Sequence, residues 1–461
     1  MAATVMTLPE FPDSLARCVS EFPRCHVLVL GDAILDEYIL GECSRISPEA
    51  PVPILKVTAS RHVPGGAANT AANIVALGGR ATLIASIGRD DAGAALRRRA
   101  TDAGIDVLAV DRRTATLRKT RVVGQNQQIV RLDYEDDAAP DEGADAEVLS
   151  LFDASLGACD IVVVSDYAKG LLSPALAQAI LQRARRAGRR VIVDPRPQNR
   201  DCYAGCDYLT PNWKESRALL NLPDAEPTPD EAARVARSLA SALETNVVLT
   251  LGARGIRFCN QAATEEFALR TTAREVFDVS GAGDTVAAAF ALSLAAGADH
   301  ATAVAIANRA AGVAVAKFGT ATVTAEEILQ QSDALRLVPR HALADLATTL
   351  RVKGKRLVVI TGSFDILRSA HLRMLNEARQ KGDVLIVGLS GDARERALAG
   401  FERPIVAERQ RADMLLSLRV VDYVHIFDEL DPSAFLMAIT PDVHVSAFDD
   451  SATLTERAAA T

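Results

Sequence analysis

At 461 residues, with 49% hydrophobic and 24% charged side chains, the chain has an ordinary globular composition and is too long for a single core, so two or three domains are expected. A net charge of -8 excludes a general attraction for nucleic acid or acidic membranes, and any cation-rich site must be local. The seven cysteines lack paired metal-ligand spacing, no run approaches the about 20 apolar residues of a membrane span, and the first residues lack a basic start followed by an apolar core. These features point to a cytoplasmic protein with neither nucleic acid nor membrane as partner.

Residues 10 to 22 read as a short amphipathic helix, followed by a buried strand, Cys25 to Asp32. Open α/β sheets place ligand-binding groups at the carboxyl ends of their strands, so Asp32 is a candidate to hold ligand hydroxyls; the competing reading is a loop cap. Residues 33 to 63, with alternating apolar positions and three prolines, predict edge strands rather than sheet core. In PGGAANTAANIVALGG, Gly65 and Gly66 allow close backbone approach and Asn69 can hydrogen-bond a hydroxyl, although a glycine turn before a helix is common. The strand and helix rhythm that follows predicts a mostly parallel sheet flanked by helices.

Residues 112 to 131 hold six basic side chains and no acidic one. Strand alternation puts Lys119 and Arg121 on one face and Arg118 and Thr120 on the other; protection of an edge strand is the competing explanation. Buried strands then end in Asp166, Tyr167 and Lys169 and again in Asp194, outlining a crevice along one sheet edge. Asn212 and Glu215 stand three apart, a spacing that lets an amide and a carboxylate share a hydrated Mg²⁺ ion, or simply starts an exposed helix. In VFDVSGAGDTVAAAFALSLAAG, residues 276 to 297, a β-branched run enters a Gly-Ala-Gly turn and a small-residue helix. Backbone N–H groups of Gly281, Ala282 and Gly283 would cradle an anion such as a phosphoryl group, and Asp284 could take the proton of an attacking hydroxyl. The plainer reading makes Asp284 a first-turn carboxylate favoured by the helix dipole. Neither G-x-x-x-x-G-K-[ST] nor a G-x-G-x-x-G after a strand occurs.

The string DVSGAGDT resembles the signature of ribokinase-like (PfkB) sugar kinases. SRISPEAPVP, residues 44 to 53, and TLRKTRVVGQNQQIVRLD resemble the bacterial heptose 7-phosphate kinase domain, which often occurs fused to a heptose 1-phosphate adenylyltransferase. The resemblance covers about residues 20 to 330. It implies a mostly parallel α/β sheet with a small β lid from residues 33 to 60 and 113 to 135, ATP and Mg²⁺ as cofactors, and a phosphorylated sugar as substrate. It also implies Asp284 as catalytic base, the Gly281 to Gly283 turn as anion hole, and Asp32, Gly65, Gly66 and Asn69 on the sugar. Asn212 and Glu215 would organise Mg²⁺, mostly through water. Thr250, Gly252 and Gly255 match the nucleotide loop, and Asn308 matches a position near the adenine. Arg118, Lys119, Arg121, Asn126, Gln128 and Arg131 are the lid candidates for the substrate, the four cations for its distal phosphate. Lid strands in this superfamily often pair between subunits, which implies a homodimer.

The expected organisation is a kinase domain over residues 1 to 330, a linker over 331 to 355 and a smaller Rossmann-like α/β domain over 356 to 461. RLVVITGSFDILRSAHLRMLNEARQKGDVLIVGLSGD, starting at Arg356, resembles the adenylyltransferase half of the heptose enzymes, a cytidylyltransferase-like fold. Their H-x-G-H is here Arg368, Ser369, Ala370 and His371, and Ser446, Ala447 and Phe448 stand where they carry Lys and glycines. The last strand and a Ser/Thr-rich loop are also expected to be missing, so this domain is read as degenerate and inactive. The resulting expectation is phosphorylation of the anomeric hydroxyl of D-glycero-D-manno-heptose 7-phosphate. The alternatives are a fully bifunctional kinase and adenylyltransferase, a kinase for another sugar or sugar phosphate, and a non-catalytic sensor or scaffold.

Overall fold

The computed structural model describes residues 12–112, 114–125, 127–135, 142–273, 276–317, 319–330, 336–352, 354–446 and 456–457. The chain divides into two compact units, Met1–Ile328 and Leu329–Thr461. Among the described residues no helix is long and apolar enough to cross a membrane.

The first unit is built on near-continuous apolar runs. β1 (His26–Gly31), β4 (Arg80–Gly88) and β8 (Ile161–Ser165) are buried almost throughout, as strands covered on both faces must be. They belong to a nine-stranded sheet of order β13-β12-β11-β10-β9-β8-β1-β4-β5, completed by β5 (Asp106–Arg112), β9 (Arg190–Asp194), β10 (Tyr208–Leu209), β11 (Asn246–Thr250), β12 (Ile256–Cys259) and β13 (Glu266–Leu269). Pairing is parallel from β11 to β5 and antiparallel at β11–β12 and β12–β13, so that β12 runs against the other strands. Leu28, Leu30 and Val162 pack with Val148, Phe152, Ile180 and Leu239 from the helices of one face. Against the sheet also lies the Ala282–Ala295 helix, buried from Asp284 to Leu294, which explains why its sequence is small and apolar all round. The strand order turns back at β1, between β4 and β8, so the carboxyl ends of β1, β8 and β9 face a crevice at the switch point.

A separate four-stranded sheet, order β3-β2-β6-β7, is formed by β2 (Ala33–Ile46), β3 (Pro53–Gly66), β6 (Arg118–Gly124) and β7 (Gln127–Tyr134). Of the edge strands expected over residues 33 to 63, β3 stands at the sheet's edge, whereas β2 is internal, between antiparallel β3 and parallel β6, because the prolines fall in the turn and in β3. The root of β2 and the end of β3 are buried, whereas β7 is exposed along its whole length. Register shifts interrupt the pairing at Leu40/Gly41, Cys43/Arg45 and Val122/Val123, and Gly41 lies opposite Gly124.

The second unit has a five-stranded sheet of order β16-β15-β14-β17-β18: β14 (Leu357–Gly362), β15 (Val384–Ser390), β16 (Tyr423–Phe427), β17 (Val443–Ser446) and β18 (Glu456–Arg457). All pairs are parallel except β17 with β18. The segment expected to be a linker is, in its described part, woven into this unit. Leu343, Ala347 and Leu350 of the Leu343–Val352 helix share a core with Leu357, Val359 and Phe435, an amphipathic stripe that charge content had masked.

Candidate active site

The turn into the Ala282–Ala295 helix is fixed by its own side chains. Asp278 accepts from the N–H of Ser280 at 2.9 Å and from that of Gly319 at 3.2 Å. Gly281 has φ +76°, and a Cβ there would stand 2.8 Å from Asn69 Nδ2, so only glycine fits. One turn on, Asp284 is buried with three neutral donors around it. Asn69 Nδ2 donates to Oδ2 at 2.7 Å, and Tyr167 Oη and Thr70 Oγ1 donate to Oδ1 at 2.8 and 3.2 Å. Burial pushes the Asp284 pKa up; the bonds from Asn69, Tyr167 and Thr70 and the charge of Arg196 hold it back.

Beside this carboxylate lies a cavity of about 150 Å³ lined by Tyr167, Asp194, Arg196, Thr210, Asn212, Glu215, Thr250, Gly281, Gly283 and Asp284. The fold therefore brings together residues that stand far apart in sequence: the Gly-Ala-Gly turn, the ends of β8, β9 and β11, and the start of the Trp213–Leu219 helix. Asn212 caps that helix by accepting from Glu215 N at 3.0 Å, and Glu215 answers by accepting from Asn212 N at 2.9 Å. Glu215 is buried, not part of an exposed helix start, and is ion-paired with Arg196. Asp194, which accepts from Thr210 Oγ1 at 3.3 Å, has its pKa pushed well up by burial and then by the charges of Glu215 and Asp284.

Three carboxylates thus face one guanidinium in the cavity, an imbalance that a divalent cation relieves. Among the described residues no three His, Cys, Asp or Glu side chains are placed to hold a metal by themselves. Such a donor set suits Mg²⁺, which keeps several waters and shares its shell with nucleotide phosphates. Glu215, Asn212 and Asp194 are the side chains that would hold it.

The residues expected on the sugar have these protein neighbours. Asp32 is buried at the end of β1 and accepts from the backbone N–H groups of Tyr167, Lys169 and Leu171 at 3.2, 3.0 and 3.2 Å, so it shapes the loop after β8 rather than presenting a free carboxylate. Asn69 is bound to Asp284. Gly65 and Gly66 leave room for the protein itself: a Cβ at either would lie 2.4 Å from Asp36 Oδ2 or from the Asp32 carbonyl. Asp36, missed in the sequence, stands in the root of β2, accepting from Arg121 at 2.5 Å and from Thr320 Oγ1 at 3.1 Å. A carboxylate in an otherwise apolar strand start was the available signal.

In the lid, alternation separates the cations as expected. Lys119 and Arg121 share a face with Arg131 across the β6–β7 pair, while Arg118 turns to the other, 3.9 Å over the Tyr134 ring and 3.8 Å from Glu37. Arg118 is therefore not aimed with the other three. Burial lowers the pKa of Lys119, whose Nζ stands 5.6 Å from the Tyr167 ring centre, and Arg131 pairs with Asp133 at 2.8 Å. Gln128 is exposed on β7, and Asn126 lies outside the described residues.

In the expected nucleotide loop, Thr250 reaches the cavity, but Gly252 and Gly255 serve the turn between β11 and β12 through positive φ. A Cβ on Gly255 would meet the Leu269 carbonyl at 2.0 Å. Asn308 is buried and donates to the Arg270 carbonyl at 2.7 Å, a loop-pinning bond that no local pattern announces.

In the second unit, the backbone N–H of Arg368 donates to His371 Nδ1 at 3.1 Å at the start of the Ser369–Arg379 helix, and the His371 ring meets Phe364 edge-on at 5.5 Å. Asp365 accepts from Arg403 at 2.7 Å and from Val406 N at 3.0 Å. Ala447 and Phe448 lie outside the described residues.

Residues 26–327 match the model of the pfkB family of carbohydrate kinases, and residues 359–456 match the cytidylyltransferase-like model. Proteins named bifunctional protein HldE from Caulobacter vibrioides and from Caulobacter sp. strain K31 are 40% and 41% identical, covering 95% of this chain and 92% and 91% of their own. Among solved structures, Escherichia coli phosphofructokinase-2 in complex with potassium superimposes with a TM-score of 0.56 at 23% identity, covering 66% of this chain and 96% of its own, which shows the shared fold. A ribokinase from Thermotoga maritima gives 0.51 at 24% identity, over 67% of this chain and 99% of its own. A pfkB carbohydrate kinase transfers a phosphoryl group to a sugar hydroxyl with ATP and Mg²⁺. The chain belongs to the family of bacterial bifunctional HldE proteins, a pfkB carbohydrate kinase unit followed by a cytidylyltransferase-like unit.

Proposed function

We propose that the first unit phosphorylates the anomeric hydroxyl of D-glycero-D-manno-heptose 7-phosphate to give the 1,7-bisphosphate. The observation that carries the reading is Asp284, a buried carboxylate held by neutral donors at the mouth of a Gly-Ala-Gly helix start. When bound, ATP supplies the phosphoryl group and Mg²⁺ neutralises its charge. Asp284 takes the proton of the sugar hydroxyl, and the N–H groups of Gly281 to Gly283 meet the charge building on the transferred group. Arg196, ion-paired with Glu215 and 4.7 Å from the Tyr167 ring centre, adds positive charge to the same cavity.

Lys119, Arg121 and Arg131 offer three donors on one lid face to the distal phosphate, which distinguishes a phosphorylated sugar from a free one. The lid excludes water, limiting transfer of phosphate to solvent. Its outer side exposes Val130, Leu132 and Tyr134, which supports a homodimer formed through the lids.

A second reading concerns the second unit and is favoured by the relatives' bifunctional name across almost the whole chain. In it, adenylyl transfer from ATP to the sugar 1-phosphate takes place near Arg368 and His371, and the kinase-only expectation is too narrow. Phosphorus NMR with Mg-ATP and the heptose 7-phosphate tests the first reading: a new anomeric phosphate signal with ADP supports it, and intact ATP sinks it. Supplying heptose 1-phosphate next tests the second, through the presence or absence of pyrophosphate.

A further inference from the structure

Asp284 has two oxygens with room for about four hydrogen bonds between them. Among the described residues, Tyr167 and Thr70 both donate to Oδ1, whereas Oδ2 receives only Asn69. The remaining open acceptor site is therefore on Oδ2. We propose that Tyr167 is a positioning residue that, together with Thr70, fills Oδ1 of Asp284, so that Oδ2 is the atom that takes the proton of the sugar hydroxyl. The inference rests on the reading of Asp284 as the base.

The Tyr167 phenol is well placed to hold this orientation. Its backbone N–H is fixed by Asp32, and the next residue, Ala168, has φ +54° and is braced by its N–H to Asp166 Oδ1 at 2.7 Å. Two cations flank the ring, Arg196 at 4.7 Å and Lys119 of the lid at 5.6 Å. A second tie joins this loop to the lid, where Lys169 pairs with Glu135 at 2.9 Å. The orientation of the base is thereby linked to the position of the lid.

The groups around Asp284 set the sign of the test. The helix Ala67–Ala76 offers the neutral donors Asn69 and Thr70, and the loop after β8 offers Tyr167. The end of β9 offers Asp194, whose charge opposes ionisation, and Arg196, which favours it and is itself paired with Glu215. Removing the phenol removes a donor to the charged form, and the carboxylate protonates at higher pH.

The experiment is the pH profile of kcat for the full chain with Mg-ATP and the heptose 7-phosphate. Tyr167→Phe is expected to move the acid limb up by about one pH unit and to lower the alkaline plateau, with the KM for ATP unchanged. Site-specific replacement of Tyr167 by 3,5-difluorotyrosine, a stronger donor that keeps the ring, is expected to move the limb down. It also decides the matter if the phenylalanine variant does not fold. An acid limb that stays in place in the folded variants, whatever the plateau does, overturns the proposal. Asp284→Asn separates the two layers. If it retains turnover, the base assignment itself fails. If it is inactive while the Tyr167 profiles stay put, only the present inference fails.

Discussion

Two carboxylates at the mouths of two parallel sheets show how one residue type is put to opposite uses. Asp284 in the first unit is surrounded by amide and hydroxyl donors, and burial holds its pKa above the ordinary value. Asp365 in the second unit is also subject to burial, but the N–H of Val406 and the guanidinium of Arg403 outweigh it and hold its pKa down. Neutral donors orient a charge and leave it able to accept a proton. An ion pair spends that charge on holding the chain together. Arg411 makes the contrast sharper: it is fully buried, pairs with Asp392 at 2.6 Å and donates to the carbonyls of Ser363 and Ser390, joining loops rather than facing a cavity.

The comparison can be broken in four places. The largest effect is expected from Asp284→Asn, which should lower kcat by about 10²- to 10⁴-fold with ATP affinity retained, measured by coupled ADP assay and nucleotide titration. Appreciable turnover would remove Asp284 from the chemistry. Arg411→Met should destabilise the second unit by roughly 3–5 kcal/mol, because Asp392 loses its buried partner. Denaturant unfolding would show it as an earlier transition, with kinase turnover kept; equal loss in both readouts would contradict the division of labour.

Within the lid, Arg121→Gln should raise the KM for the phosphorylated sugar by about tenfold or more, and Arg118→Gln by less than about threefold. Reversal of that order would mean that the other lid face reads the substrate. The smallest effect is a pH dependence of opposite sign. Asp365, with its pKa depressed, stabilises the second unit above its unfolded pKa, and this is lost as pH falls through the folded value. Asp284, with its pKa raised, opposes folding when ionised, and acid relieves that cost. Thermal melts from about pH 5 down to about pH 3 should therefore show the second-unit advantage of the parent over Asp365→Asn shrinking as pH falls.

Much of this frame could be read from residues in a row. The buried strands and the turn at Gly281 to Asp284 are local patterns, and the structure displays them. The N-x-x-E spacing correctly placed Asn212 and Glu215 together, although both are occupied in a capping box and Glu215 pairs with Arg196. What could not be read were pairings across long stretches of chain. Tyr167 meets Asp284 from 117 residues away, and Asn69 from 215. Asp36 could not be singled out because nothing local reveals Arg121 or Thr320 beside it. Asp32 looked available for a ligand because its three backbone donors belong to a loop more than 130 residues later.

The glycine pair across β2 and β6 has a mechanical consequence. Gly41 faces Gly124, the register shifts cluster beside them, and the pairing of β2 with β6 ends at that row. Below it, Tyr38 and Asp36 are bonded to Thr320. The sheet is therefore a springboard clamped at its base: beyond the glycine row β2 keeps only β3 as a partner, while the part nearest Asp284 is held by β3, β6 and Thr320.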